Sequence, residues 1–217
     1  MKHLRGYPFR GLYAITDTGF KGRSIEHQVA LAIRGGARVI QYRDKGQDES
    51  RRLAEARAIL AVCRACGVPL LINDDIELAR SIGADGAHIG RGDAALAQAR
   101  ATLGPAAIIG VSCYNEFTRA ERALTGGADY VAFGRFFASQ SKPQAVPAGL
   151  DLLRRARAEL ACPVVAIGGI TADNGRLLIQ AGADMLAVIR GIFAADDVAL
   201  AAQSLHQLFQ SAAEENP

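Results

Sequence analysis

Apolar residues nowhere run unbroken for the ~18 positions that a membrane-spanning helix needs. The opening segment, MKHLRGYPFRGLYAITD, carries charges but no continuous apolar stretch of the kind a secretory leader uses. A cytoplasmic protein with no membrane partner is the expectation. The chain also lacks a basic block: 25 Lys and Arg stand against 22 Asp and Glu, a net charge of +3, with the basic residues scattered. Nucleic-acid binding has no support from that pattern, while a small anionic ligand is compatible with it. Cysteine is sparse, and the four at 63, 66, 113 and 162 do not read as a disulfide framework. Cys63-Arg64-Ala65-Cys66 has C-x-x-C spacing, yet it closes an amphipathic helix ahead of Gly67, where the negative dipole end disfavours a reactive thiolate. No second ligand pair follows at zinc spacing, so two half-buried helix cysteines are expected. Lysine is the scarcest charge, present as Lys2, Lys21, Lys45 and Lys142. In a chain that habitually uses arginine, Lys45 and Lys142 stand out as compact point charges where guanidinium would be a flat fork.

What is present is a steady βα beat. With 217 residues, half of them hydrophobic, the chain can bury the core of one large α/β domain, read here as 1–217 with its core at 11–212. Short aliphatic runs at 11–16, 38–43, 68–73, 86–90, 107–112, 129–134, 163–168 and 184–189 read as strands. Between them, Ile25, Val29, Ala32 and Ile33 share one helical face, as do Leu53, Ala56, Leu60 and Cys63. The phrases GGARVIQY, GADGAHIG, GGADYVAFG and AGADMLAV each end a helix on glycine and open a strand, at spacings too irregular for a solenoid. Eight strand–helix units without a second core predict an α/β fold, a single-domain (β/α)8 TIM barrel. An open doubly wound sheet is the alternative, but it would not need eight strands in so short a chain.

In such a barrel the chemistry sits where strands end. Asp74 and Asp93 follow the third and fourth strands, neighbours about 4.8 Å apart, so their carboxylates can converge on one cation. Oxygen ligands without histidine or cysteine favour magnesium over zinc. Taken separately, each acid reads first as a helix cap, Asp74 or Asp75 for the helix DIELAR and Asp93 for AALAQAR, and it is as a pair beside the basic cluster that they favour a metal. After the second strand, alternation sends Gln41, Arg43 and Lys45 to one side, an amide and two cations suited to a diphosphate beside Mg²⁺. A solvated Arg43–Asp44 charge pair is the competing reading. The segment RFFASQSKPQAVPAG is long for a connection and reads as a lid offering Ser139, Ser141 and Lys142, or else as a plain insertion. Gly168-Gly169 after strand seven and Ile189-Arg190-Gly191 after strand eight fit a backbone phosphate cradle. His88, within GAHIG, reads as a packed strand histidine. Two anion sites at one mouth suggest two phosphorylated reactants joined in one cavity.

With those residues in view, the chain resembles the thiamine phosphate synthase family from about Gly11 to Phe193. QYRDK, INDD-x-x-LA, GADGAHIG-x-GD, GVS, FGRFF-x-S-x-SK and AIGGI occur in family order. The resemblance implies a transferase of thiamine biosynthesis on a TIM barrel, joining a hydroxymethylpyrimidine diphosphate to a thiazole phosphate with release of pyrophosphate. It implies Gln41, Tyr42, Arg43, Asp44, Lys45, Asn73, Ser112 and Lys142 around the pyrimidine diphosphate, with Arg43, Lys45 and Lys142 as the catalytic cations. It further implies Asp74 and Asp93 on Mg²⁺, and Ser139, Gln140, Ser141, Gly169, Ile189 and Arg190 around the thiazole phosphate. Small phosphorylated molecules are the expected partners, and a homo-oligomer is compatible. The chain departs from the family pattern at Ser139 and Ser141, where threonine is frequent, at Arg91, where glutamine is common, and at Arg190, where a small hydroxyl residue is common. Two rivals share the barrel: a sister group that isomerises the thiazole carboxylate phosphate, and a non-catalytic thiamine phosphate sensor.

Overall fold

Each strand segment is a short aliphatic run, and nearly every residue in it is buried, as befits a parallel strand held between a filled barrel and a helix layer. The computed structural model describes residues 3–4, 7–17, 24–90, 93–138 and 146–214, with side chains from Phe9 onward except those of 93–94 and 211–214. Among these residues the barrel strands are β1 (Gly11–Ile15), β2 (Ala37–Tyr42), β3 (Leu70–Asn73), β4 (Gly86–Ile89), β5 (Ile108–Tyr114), β6 (Tyr130–Phe133), β7 (Val164–Ile167) and β8 (Met185–Val188). They pair in parallel and in sequential order, and β8 closes on β1 in the register Met185↔Gly11 to Val188↔Ala14. The expected (β/α)8 barrel is the observed one.

The helices that cover the barrel are α1 (Ile25–Arg34), α2 (Glu49–Cys66), α3 (Ile76–Ile82), α4 (Asp93–Leu103), α5 (Phe117–Thr125), α6 (Leu150–Glu159), α7 (Gly175–Gln180), α8 (Arg190–Phe193) and α9 (Val198–Glu214). The four-residue α8 and a two-stranded ribbon pairing His3–Leu4 with Tyr7–Pro8 were not foreseen in the sequence. Strand ends differ by a residue or two for identifiable reasons. β3 starts at Leu70 rather than at 68 because Pro69 has no N–H to give the ladder. β5 runs on to Tyr114 through an irregular register between Ser112 and Tyr114, with Tyr114 at φ 55°.

The recurring Gly-Ala-Asp phrase has a structural cause. Asp85, Asp129 and Asp184 each precede an even-numbered strand, and each carboxylate accepts the N–H at or beside the start of the strand before it. Leu70, Ile109 and Val164 are the donors, each at 2.8 Å. These acids satisfy strand-end donors at the N-terminal face, away from the predicted site, and Arg100 and Arg157 pair with the latter two. The Cys63–Cys66 pair, expected to be half-buried, divides instead: Cys63 is buried and Cys66 is exposed. Cys113 and Cys162 are buried as well, and burial pushes the Cys63 and Cys113 thiols up to about 12.

Inside the barrel, Phe9, Tyr13, Val39, Leu71, Tyr130 and Met185 form a separate apolar layer. Phe9 packs on Tyr130 with ring centroids 4.9 Å apart and the ring planes tilted by 40°. Gly110 on β5 makes room for the phenol, since a Cβ there would lie 1.9 Å from the Tyr130 Cζ. The barrel is therefore plugged from one end, and its free volume lies at the strand C-termini.

Candidate active site

The mouth is built strand by strand. At the β1 and β2 exits the Thr16 hydroxyl accepts the Arg43 N–H at 2.9 Å, locking the two strand ends together. Gln41 is 1% exposed and points inward, with Nε2 donating to Tyr13 Oη at 2.6 Å. Arg43 also faces the mouth, 3.5 Å from Asp17. Strand alternation turns Tyr42 the other way. Its hydroxyl donates to Glu55 on α2 at 2.7 Å, and burial followed by that carboxylate holds the phenol well above its ordinary pKa. The Asp44 carboxylate is fully buried against Arg51 and accepts the Gly46 N–H. Tyr42 and Asp44, which the resemblance placed around the substrate, thus commit their side chains to the α2 side rather than to the cavity, because they occupy the outward positions of the same alternation. Lys45, expected on the same side as Gln41 and Arg43, is exposed and does not line the cavity as those two do.

At the β3 exit the two adjacent carboxylates separate. Asp75 is the N-cap of α3, accepting the Leu78 N–H at 2.9 Å and pairing with Arg52. Asp74 sits at φ 60°, a conformation that favours Asn, Asp and Gly, and this turns its exposed side chain to the mouth. There it accepts the Gly90 N–H of the β4 exit and the Asn73 amide, both at 2.8 Å. Capping and mouth placement, alternatives in the sequence, are divided between neighbours. Asp93 opens α4, and its side chain lies outside the described residues. Among the described residues no three His, Cys, Asp or Glu side chains gather at metal distance. Asp74 fits a hard divalent cation: an exposed all-oxygen donor, each oxygen oriented by one hydrogen bond.

Arg119 joins the β4 and β5 exits, donating to the Ser112 carbonyl at 2.8 Å and to the Gly90 carbonyl at 3.0 Å. After β6, Ser139, Gln140, Ser141 and Lys142 lie outside the described residues, as does Arg91. The segment leading to them packs on the β7 exit, where the Phe137 N–H donates to the Gly168 carbonyl at 3.0 Å. Gly168 and Gly169 adopt φ 106° and 65°, and a Cβ on Gly169 would lie 2.4 Å from the Ala138 carbonyl oxygen. Glycine is needed here both for the backbone conformation and for the close approach. Asn174 holds the turn, donating to the Gly169 carbonyl and accepting the Thr171 N–H.

These exits surround one cavity of about 480 Å³. Gln41, Arg43, Asn73 and Ser112 line one side, and Gly169, Ile189 and Arg190 the other. His88 lines it too, and sequence reasoning missed this role. Its Nδ1 is 2.8 Å from Tyr130 Oη and its Nε2 is 2.9 Å from Ser112 Oγ. Tyr13, also unforeseen, lines the cavity, and the Tyr130 hydroxyl lies 2.9 Å from its hydroxyl in the layer beneath. The available signal was weak: a polar ring in an otherwise aliphatic strand.

The family model described as thiamine monophosphate synthase matches residues 12–192. The thiamine-phosphate synthase of Azoarcus sp. (strain BH72) is 52% identical over 204 residues, spanning 94% of this chain and 99% of that protein. That of Thiobacillus denitrificans is 49% identical over 212 residues, spanning 98% and 100%. The solved thiamine phosphate pyrophosphorylase from Pyrococcus furiosus superposes with a TM-score of 0.85 at 31% identity, covering 94% of this chain and 97% of that one.

Proposed function

The chain belongs to the thiamine monophosphate synthase family, and on that premise we propose that it condenses 4-amino-2-methyl-5-(diphosphomethyl)pyrimidine with thiazole phosphate to give thiamine phosphate and pyrophosphate. The observation that carries this reading is a cavity lined by an amide and a guanidinium from the end of β2 on one wall and by the glycine turn and α8 start on the other. Two phosphorylated reactants facing each other need such a two-walled site. Retention of Arg43, Lys45, Asp74, Asp93 and Lys142 favours coupling over isomerisation, which has no diphosphate to neutralise. A cytoplasmic enzyme acting on small phosphorylated molecules is part of the proposal.

Gln41 is positioned to read the pyrimidine, since a carboxamide pairs bidentately with an edge that offers an amine beside a ring nitrogen. Asp74 and Asp93 would hold Mg²⁺, which when bound supplies positive charge to the departing diphosphate. Arg43, Lys45 and Lys142 supply more of it from the chain itself. Asn73 orients Asp74 through its amide hydrogen bond. Breaking the C–O bond leaves a methylene cation stabilised by the electron-rich aminopyrimidine. The protein's task is then to balance the leaving charge and keep the thiazole nitrogen in line. No side-chain nucleophile is required. The thiazole phosphate would sit against the Gly169 turn and the Ile189–Arg190 backbone, with Ser139, Gln140 and Ser141 as its further proposed contacts.

The test is an incubation of purified protein with both phosphorylated substrates and Mg²⁺. Thiamine phosphate and pyrophosphate should appear in equal amounts and stop on chelation. Binding of thiamine phosphate without turnover would replace the proposal with a sensor, and consumption of a carboxylated thiazole phosphate alone would replace it with an isomerase.

A further inference from the structure

Five polar side chains from five strands form one unbroken hydrogen-bonded chain across the barrel floor. Gln41 Nε2 reaches Tyr13 Oη at 2.6 Å, and Tyr13 Oη reaches Tyr130 Oη at 2.9 Å. Tyr130 Oη then meets His88 Nδ1 at 2.8 Å, and His88 Nε2 meets Ser112 Oγ at 2.9 Å. Its two ends, Gln41 and Ser112, both line the cavity. Tyr13 is 1% and Tyr130 0% exposed, and burial raises both phenols far above their ordinary pKa, so each keeps its one hydrogen.

A hydroxyl with one hydrogen, bonded on both sides within such a chain, donates to one neighbour and accepts from the other. A neutral imidazole obeys the same rule. The chain therefore has two polarities. If Gln41 donates, Tyr13 donates to Tyr130, Tyr130 donates to His88 Nδ1, and His88 Nε2–H donates to Ser112. The Ser112 hydrogen is then released toward the cavity. In the opposite polarity the Gln41 carboxamide turns its oxygen to accept from Tyr13, since the amide nitrogen cannot accept, and Ser112 spends its hydrogen on His88 and turns lone pairs to the ligand. An anionic ligand beside Ser112 repels the second arrangement and selects the first.

Resting on the coupling activity argued above, we propose that Tyr13 and Tyr130 are positioning residues that hold His88 as its Nε2–H tautomer, so that Ser112 directs its hydroxyl hydrogen onto the diphosphate. The same polarity orients the Gln41 amide, with one Nε2 hydrogen on Tyr13 and its oxygen free for the pyrimidine amine. The far phenol thus sets what both ends of the chain offer the substrate without touching it.

The test uses full-length protein labelled with ¹⁵N-histidine, with inorganic pyrophosphate and Mg²⁺ as the probe. The His88 imidazole should show a protonated Nε2 and an unprotonated Nδ1, and a protonated Nδ1 overturns the proposal. In steady-state assays Tyr130→Phe should lower kcat about tenfold, the equivalent of one modest hydrogen bond, and cause a clearly smaller loss when added to Ser112→Ala, where only the Gln41 end of the chain is left to disturb. An equal loss in both backgrounds overturns it, because the phenol would then act by some route other than Ser112. Tyr13→Phe breaks the chain one link earlier and repeats the cycle if Tyr130→Phe does not fold. Absence of turnover in the wild-type protein would overturn the coupling activity, while the imidazole spectrum would still decide the tautomer.

Discussion

Asp74 and Asp75 are chemically identical neighbours with different work. Asp75 caps α3 and pairs with Arg52, whereas Asp74 faces the mouth between Asn73 and Gly90. Asp75→Ala should cost about 1 kcal/mol of stability, the usual loss for an N-cap, read as a lower denaturation midpoint with kcat retained. Asp74→Ala should do the reverse, lowering kcat by roughly 10²–10³, as loss of one charge-stabilising group does in other active sites, with a small change in midpoint. An Asp74→Ala enzyme that turns over normally would remove the metal-holding role. That an acid at the β3 exit mattered was legible in INDD. Which acid did which job was not, because the division rests on Asp74 taking φ 60° while Asp75 stays at φ −88°.

Elements are joined at the barrel's N-terminal face by acids that serve a neighbouring strand. Asp184 is 4% exposed and accepts the Val164 N–H. Asp184→Ala leaves that donor unpaired and should cost about 1.5–3 kcal/mol, the range for a hydrogen bond to a charged group. Thermal unfolding would show the loss, and kcat per folded molecule should hold, since the site lies at the opposite end. The Gly-Ala-Asp repeat was visible as a rhythm, but its purpose was hidden, because the bond crosses to a different strand. A second element contact sets pH behaviour. His206 on α9 packs against Gly36, its Nδ1 has no hydrogen-bond partner among the described residues, and burial followed by Arg38 lowers its pKa below the ordinary 6.5. The unfolded chain therefore binds the proton more readily, and stability falls as pH drops through that window. In His206→Phe the decline in Tm from neutral pH to about pH 5 should be shallower than in the wild type, a window in which histidine is the residue that changes charge. An identical slope would show that His206 does not contribute.

At the scale of the whole molecule, the described carboxylate at the mouth, Asp74, is exposed and already accepts one hydrogen bond on each oxygen, so Mg²⁺ is expected to bind well only together with phosphate oxygens. Mg²⁺ alone should barely shift Tm, while Mg²⁺ with pyrophosphate should raise it with the logarithm of ligand concentration once that exceeds the Kd. An equal shift with Mg²⁺ alone would point to a preformed metal cage. Strand order, barrel closure and the polar strand exits could be read from the chain, because two-residue alternation and glycine-ended helices are local signals. Alternation also placed Gln41 and Arg43 on one face, and its other half turned Tyr42 and Asp44 outward. Tertiary structure alone decided that Tyr13 and Tyr130, 117 positions apart, touch hydroxyl to hydroxyl and make His88 part of the cavity. Periodicity encodes which face a side chain takes, whereas its partner across the barrel is chosen only when the sheet closes and the interior runs short of space.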